Sequence, residues 1–411
     1  MYYLLLEGRR LILKNSKNGI PFLRVQNITP EGLNLQDIKY INIATHNGML
    51  KRSQVKEFDL ITKITGVGRM AVSAVAPKEF EGNINQHLVV IKTKNEQTSK
   101  TLATFLNSDI GEKLAKKRST GGTRPALDYT ALKSIPVIFK PEIVEIMESA
   151  YKQKKEKEAE AEKLLASIDD YVLEMLGIKM PEIKDKMCFA VDSEEVKGKR
   201  IDAYYHKPNL KEIKKAFEKG KYKTVKVKDF LAKIKKGIEV GSKSYVSDGV
   251  PFVRVVDIDD YKINIDTDKK ISFDLYKNLK DEYNPKKGEL LYSKDGTIGL
   301  CVVVEKEMDF IISGGILRLE VKKNINNFYL KTVLSSKILK LLAEAESIGQ
   351  IIKHLLPEKF LNLPIPLPPL EIQNQIAEEV KNRIEKAKKL KEEAKNIVEM
   401  AKKQVEEIIL K

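Results

Sequence analysis

Ile20-Pro21-Phe22-Leu23-Arg24-Val25-Gln26-Asn27-Ile28 returns, 230 residues further on, as Val250-Pro251-Phe252-Val253-Arg254-Val255-Val256-Asp257-Ile258. Other stretches return at nearly the same offset. Gly66-Val67-Gly68 answers Gly296-Thr297-Ile298-Gly299, and Ser119 with Ile135-Pro136-Val137-Ile138 answers Ser347 with Leu363-Pro364-Ile365-Pro366. Glu142-Ile143 opens the same kind of charged segment as Glu371-Ile372. A repeat this long is a whole domain, since solenoid units recur every 20–50 residues or so. A chain of 411 residues is also too long for one core.

Between the repeated stretches lie short β-type runs, Pro21–Ile28 and His87–Lys92 in the first copy, with a helix predicted over Thr98–Lys117. The second copy has such runs at Phe252–Asp257, Glu289–Tyr292, Cys301–Val304 and Ile316–Val321, and a helix near Asn327–Glu344. The fold class is therefore α+β, one globule used twice. The expected domains are 1–140, a long helix over 141–180, a connector with the second globule over 181–370, and a second long helix over 371–411. Arg200–Pro208 reads as an ordered connector, and the first copy, starting almost at once with Glu7–Asn18, has nothing equal to the lead Val225–Gly249.

Both long segments lack interior Pro and Gly before Leu176 and Leu410, and proline marks each entry, at Pro141 and at Pro368-Pro369. Ile143, Met147, Ala150, Leu164, Ile168, Val172 and Met175 form an apolar stripe on the first, whose middle, Lys152–Glu162, is almost wholly charged. On the second, Ile376, Val380, Ala387, Leu390, Ala394, Ile397 and Ala401 alternate in a heptad manner before a slip toward Val405 and Ile408. Each helix is roughly 55–60 Å long at the usual rise. Two such stripes with no other partner should pair, antiparallel, as a coiled coil with a globule at either end.

The formal charge is +16; residues 141–180 carry −4 and 371–411 carry +1, which leaves +19 on the globular parts. That basicity points to a polyanionic partner. Two cysteines, Cys188 and Cys301, make neither a disulfide framework nor a zinc site. His46, His87, His206 and His354 share no spacing with carboxylates. Gly237–Ser244 fails the spacing of a phosphate-binding loop, Glu182-Ile183-Lys184 is an isolated nuclease-like triplet, and neither GxSxG nor HExxH occurs. No catalytic residue, metal ligand or cofactor site is expected. The apolar Met1–Leu6 is broken by Glu7 and Arg9-Arg10, short of a membrane span, so the expected place is the cytoplasm. Abundant Lys, Glu and Ile, with no Trp, is a composition of the thermophilic kind.

Ser119–Arg124 followed by Leu132, Ile135 and Pro136, and the run Leu361–Gln375 with its Ile365-Pro366-Leu367-Pro368-Pro369-Leu370, resemble the specificity subunit of type I restriction–modification enzymes. Pro21–Val25, Pro251–Val255 and Asp295–Gly299 are similar to stretches of that family's target recognition domains. The resemblance covers nearly the whole chain. It implies a non-catalytic subunit whose two domains each read half of a split double-stranded DNA sequence. Its helices would measure the unread spacer and dock two modification subunits, which carry the S-adenosylmethionine chemistry, and restriction subunits join to make the nuclease. The weaker Gly66–Gly68 and the short start of the first copy put one half-site in question.

Phosphates attract Lys and Arg, and bases are read by side chains in the grooves. The DNA-binding candidates are Arg69, Arg118, Thr123 and Arg124 in the first copy, and Lys243, Ser244, Lys294 and Lys353 in the second. Arg24 and Arg254 join them, with a structural salt bridge as the competing role. The repeated glycines read as tight turns. Helix pairing and partner docking fall to Ile143, Met147, Ile168, Val172, Ile376, Val380, Leu390 and Ile397. The competing reading is a coiled-coil interaction scaffold with non-specific DNA affinity.

Overall fold

The computed structural model describes residues 19–182, 188–197, 200–349 and 351–411. The opening Met1–Leu6, the start of the first copy at Glu7–Asn18, and Ile183-Lys184 lie outside them. The chain divides into two compact units, one made of residues 1–159 with 390–411, the other of 160–389. The division cuts both long helices.

In the first unit the repeated stretch becomes the strand Ile20–Leu23, which lies between Lys39–Ile41, antiparallel, and Gly82–Ile84, parallel. A turn of 3-10 helix follows at Val25–Asn27. In the second unit Val250–Val253 lies between Lys270–Ile271, antiparallel, and Ile311–Ile312, parallel, and Val255–Asp257 makes the same turn. The strand expected to run on to Ile28 or Asp257 stops because the side chains of Asn27 and Asp257 accept the main-chain N–H of Arg24 and Arg254.

A second sheet repeats as well. Leu60–Lys63 is flanked by Ser73–Val75 and Leu88–Ile91, and Leu290–Ser293 by Cys301–Val303 and Ile316–Val321, all antiparallel. In the second unit Leu231–Lys236 adds a fourth strand beside Ile316–Val321. The helix expected over Thr98–Lys117 is two helices, Glu96–Asn107 and Asp109–Arg118, and its copy is Asn327–Ser335 and Lys337–Glu346. A serine makes each break. Ser108 Oγ donates to Phe105 O and accepts from Gly111 N, while Ser336 Oγ donates to Val333 O and accepts from Leu339 N. Each serine thus closes one helix and caps the next.

The long helices are Glu142–Leu176 and Leu370–Leu410. In the first unit Ile143, Met147 and Ala150 share a core with Val398, Ala401, Val405 and Ile409, and Lys157 pairs with Glu393 at 2.5 Å. In the second, Ile168, Val172 and Leu176 share a core with Ile376, Val380 and Ile384. There Lys386 pairs with Glu160, and Arg383 donates to Ser167 O, so residue numbers fall on one helix as they rise on the other. The helices run antiparallel as a coiled-coil pair. Leu390 is buried, but the seam passes over Val398 and Ile409 where Ile397 and Ile408 were expected; those two are half-buried beside it.

Candidate nucleic-acid interface

Two loops meet at one end of the first unit. The turn after Leu60–Lys63 carries Gly66 and Gly68, both at positive φ, and residues 119–127 form a hairpin closed by Thr120 and Ala126. Gly66 N donates to Pro125 O at 3.1 Å, and Leu127 N to Ile64 O at 2.8 Å. Thr120 N donates to Ala126 O and Ala126 N to Thr120 O. Gly121 takes φ +91, a conformation that disfavours side chains, and a Cβ there would lie 3.1 Å from Arg124 O.

The second unit repeats this frame bond for bond. Gly296 N donates to Lys353 O at 2.9 Å, Leu355 N to Lys294 O at 2.8 Å, and Ile348 and His354 exchange main-chain bonds. Gly349 takes φ +96, with a virtual Cβ only 2.2 Å from Ile352 O. Asp295 ties the turn to the hairpin, facing Lys294 Nζ at 2.5 Å and His354 Nδ1 at 3.0 Å.

The side chains on the two frames differ. Thr123 and Arg124 are exposed, and among the described residues Arg124 has no side-chain partner. Their counterparts are Ile351, 98% exposed, and Ile352. Helix Asp109–Arg118 runs into the first hairpin with exposed Lys116 and Lys117 and half-buried Arg118, whose Nε donates to Ser134 Oγ. The corresponding helix end carries Glu344 and Glu346, and the connector packs against it. Lys214 pairs with Glu346, Tyr204 donates to Glu344, and Arg200 donates to Ala345 O. Lys116 and Lys117 were not singled out from sequence, although they abut Arg118.

The remaining candidates are placed elsewhere or held. Arg69 reaches from its turn to the helix junction, donating to Asn107 O at 2.6 Å and Ser108 O at 2.7 Å, with Asp109 and Glu112 each 3.2 Å away. Arg24 pairs with Asp37, and Arg254 with Asp257 and Asp268. Lys353 pairs with Glu344 and lies over the Tyr204 ring. Lys243, exposed, and Ser244 sit on a 3-10 turn leading into the sheet of Val250–Val253, apart from the hairpin frame. Gly237 belongs to no phosphate loop; its Cα packs against the main chain of Ile312 and Ser313.

Among the described residues no group of three or more His, Cys, Asp or Glu is placed to hold a metal ion. Each histidine has its own partner: Asn83 for His46, Thr65 for His87, Arg200 O for His206, Asp295 for His354. Cys301 is buried, which pushes its thiol up to about 12. A cavity of about 430 Å³ in the second unit is lined by Asp169, Asp260, Tyr261, Lys331 and Lys340. Lys331, 4% exposed, lies over the rings of Tyr261 and Phe328, and burial holds its amine below the usual lysine range. No helix among the described residues is long and apolar enough to cross a membrane.

Residues 219–400 match the family model described as the type I restriction modification DNA specificity domain. That stretch is thus a DNA specificity domain of the type I restriction modification kind. The matched stretch holds the second hairpin frame, and the duplicated hydrogen bonds extend its architecture to the first unit. The chain thus holds that domain in its second unit and a like hydrogen-bonded frame in its first. Among solved structures, it is similar to the HsdS subunit from Thermoanaerobacter tengcongensis at 16% identity, over 95% of this chain and 90% of that one, with a TM-score of 0.38. The type I S subunit from M. genitalium is similar at 14% identity over 94% and 90%, with a TM-score of 0.41. A chain solved for complex assembly and conformational transition of the type I R-M system is similar at 17% identity over 95% and 90%, with a TM-score of 0.47. No curated protein matches this chain.

Proposed function

We propose that each unit reads one half of a bipartite double-stranded DNA site. The long helices set the unread gap and dock two modification subunits, which methylate the bound site; restriction subunits complete the nuclease. The observation that carries this reading is the pair of hairpins. Their main-chain bonds are the same, while the side chains they present differ: Thr123 and Arg124 on one, Ile351 and Ile352 on the other. One frame with two faces is what two unlike half-sites require. Lys116, Lys117 and Arg118 supply phosphate contacts, Arg124 has the fork that matches guanine, and exposed Lys243 with Ser244 beside it serves the second half-site.

The test is selection of bound duplexes from a random DNA pool, using the chain reconstituted with its co-encoded modification subunit at moderate salt. A two-part motif with a constant gap is expected. Tight protein assembly with no enriched motif would instead make this a scaffold, and binding that barely responds to salt would say the same.

A further inference from the structure

Residues 207–236 hold twelve Lys against three Asp plus Glu, +9 of the chain's +16, and no DNA-binding candidate named from sequence lies among them. Helix Pro208–Glu218 buries Leu210, Ile213 and Phe217 in the core of the second unit. That spacing turns Lys211, Lys215 and, just past the helix, Lys219 outward in one row, each exposed and four residues from the last. The chain then crosses the end of helix Glu142–Leu176, where Lys221 N donates to Leu176 O at 3.0 Å, and enters strand Thr224–Lys226 against Pro364–Pro366. Lys223, Lys226 and Lys228 are exposed along it. Among the described residues Lys215, Lys219, Lys223 and Lys228 make no ion pair, in contrast to Lys214.

This row stands beside the second hairpin. Lys214 Nζ lies 3.1 Å from Glu346 Oε1, and Glu346 ends its helix one residue before Ser347 opens the hairpin. The lysines of the hairpin frame are engaged, Lys294 with Asp295 and Lys353 with Glu344. Where the helix end of the first unit carries Lys116, Lys117 and Arg118, that of the second carries Glu344, Ala345 and Glu346. A duplex laid on the second hairpin would meet carboxylates where the first offers cations.

We propose that the lysines of 211–228 are the phosphate anchor of the second half-site, in place of the helix end that serves the first. The inference rests on the reading that each unit binds half of a duplex site. Duplex DNA is the polyanion that fits, because the row flanks the hairpin which that reading sets on bases, and phosphates are neutralised by cations that no carboxylate already holds. Lysine, a point charge on a flexible stem, grips a backbone without reading bases.

The test uses the complex with the modification subunit and a duplex carrying the selected motif. Lys215→Gln, Lys219→Gln, Lys223→Gln and Lys228→Gln together should lower the log–log salt slope of binding by about 0.9 for each lysine that sits on a phosphate. Affinity at moderate salt should fall at least about tenfold, while the enriched motif stays the same. In the unaltered complex the duplex should shield Lys215 and Lys219 from acylation, a readout that needs no variant. The same change to Gln at Lys277, Lys280, Lys286 and Lys287, four exposed lysines elsewhere on the unit, should leave the slope near its parental value. The proposal falls if the first variant keeps the parental slope, or if both variants lose equally, since net charge alone would then account for the loss. It falls too if the modification subunit alone shields Lys215 and Lys219, because the surface would then be a protein interface. A parent complex that enriches no motif would instead remove the reading underneath it.

Discussion

Arg69 and Arg124 stand on the same pair of loops and are put to opposite uses. Arg69 spends its guanidinium on the last carbonyls of helix Glu96–Asn107 and on two carboxylates of the next helix. Arg69→Ala should therefore lower the stability of the first unit by about 2 kcal/mol, read as a shift in the urea midpoint. Arg124, exposed and unpaired among the described residues, should give the reverse. Arg124→Ala should leave thermal unfolding within about 0.5 kcal/mol yet lose about 1–3 kcal/mol of discrimination at one half-site, read by binding to duplexes altered in one half at a time. A loss at both halves would contradict separate reading. Lys331 offers a third case. Its folded pKa lies below its ordinary 10.5, so the protonated amine destabilises the fold at neutral pH, and stability should rise as pH climbs from the folded value to the ordinary one. Lys331→Met should raise the melting temperature at pH 7, by about 1 kcal/mol in stability, and abolish that alkaline rise. The repeat made the glycine frame legible from sequence. It could not tell Arg69 from Arg124, because what separates them is a helix junction that comes into reach only on folding.

At the scale of elements, both long helices were legible because their apolar stripes are long and uninterrupted. The end of the second stripe was not. Its buried positions run Ala387, Leu390, Ala394, then Val398, Ala401, Val405 and Ile409, an eleven-residue step that a heptad extrapolation misses by one residue at Ile397. Ala387 and Ala394, 1% and 0% exposed, leave no room on this seam. Ala394→Leu should cost about 1–3 kcal/mol through overpacking, measured by thermal unfolding, whereas the same change at exposed Lys391 should cost nothing measurable. The helix pairs on each domain also dock on carboxylates of the long helices. Glu406 accepts from Asp109 N at 2.6 Å, and Asp169 accepts from Lys337 N at 3.2 Å. Both caps come from distant sequence, 297 and 168 residues away, so no local pattern announced them.

For the whole molecule, the proposed ruler has a direct test. Inserting eleven residues into each long helix keeps the seam in phase and adds roughly 16 Å of helix. Selection from random DNA should then return the same two half-sites with a wider gap; an unchanged gap would remove the helices from spacer measurement. The internal duplication was legible because similar turns recur at nearly the same offset. The composition of the units was not, since the first takes residues 390–411 from the far side of the second. That arrangement orders events on the ribosome. At about 5–20 residues per second, roughly ten to fifty seconds separate the emergence of residue 159 from that of residue 390. During that interval the first unit lacks Val398, Ala401, Val405 and the carboxylate of Glu406. The unit begun first is completed last, so a chain that stalls or is cut after residue 389 keeps its second unit whole and forfeits its first.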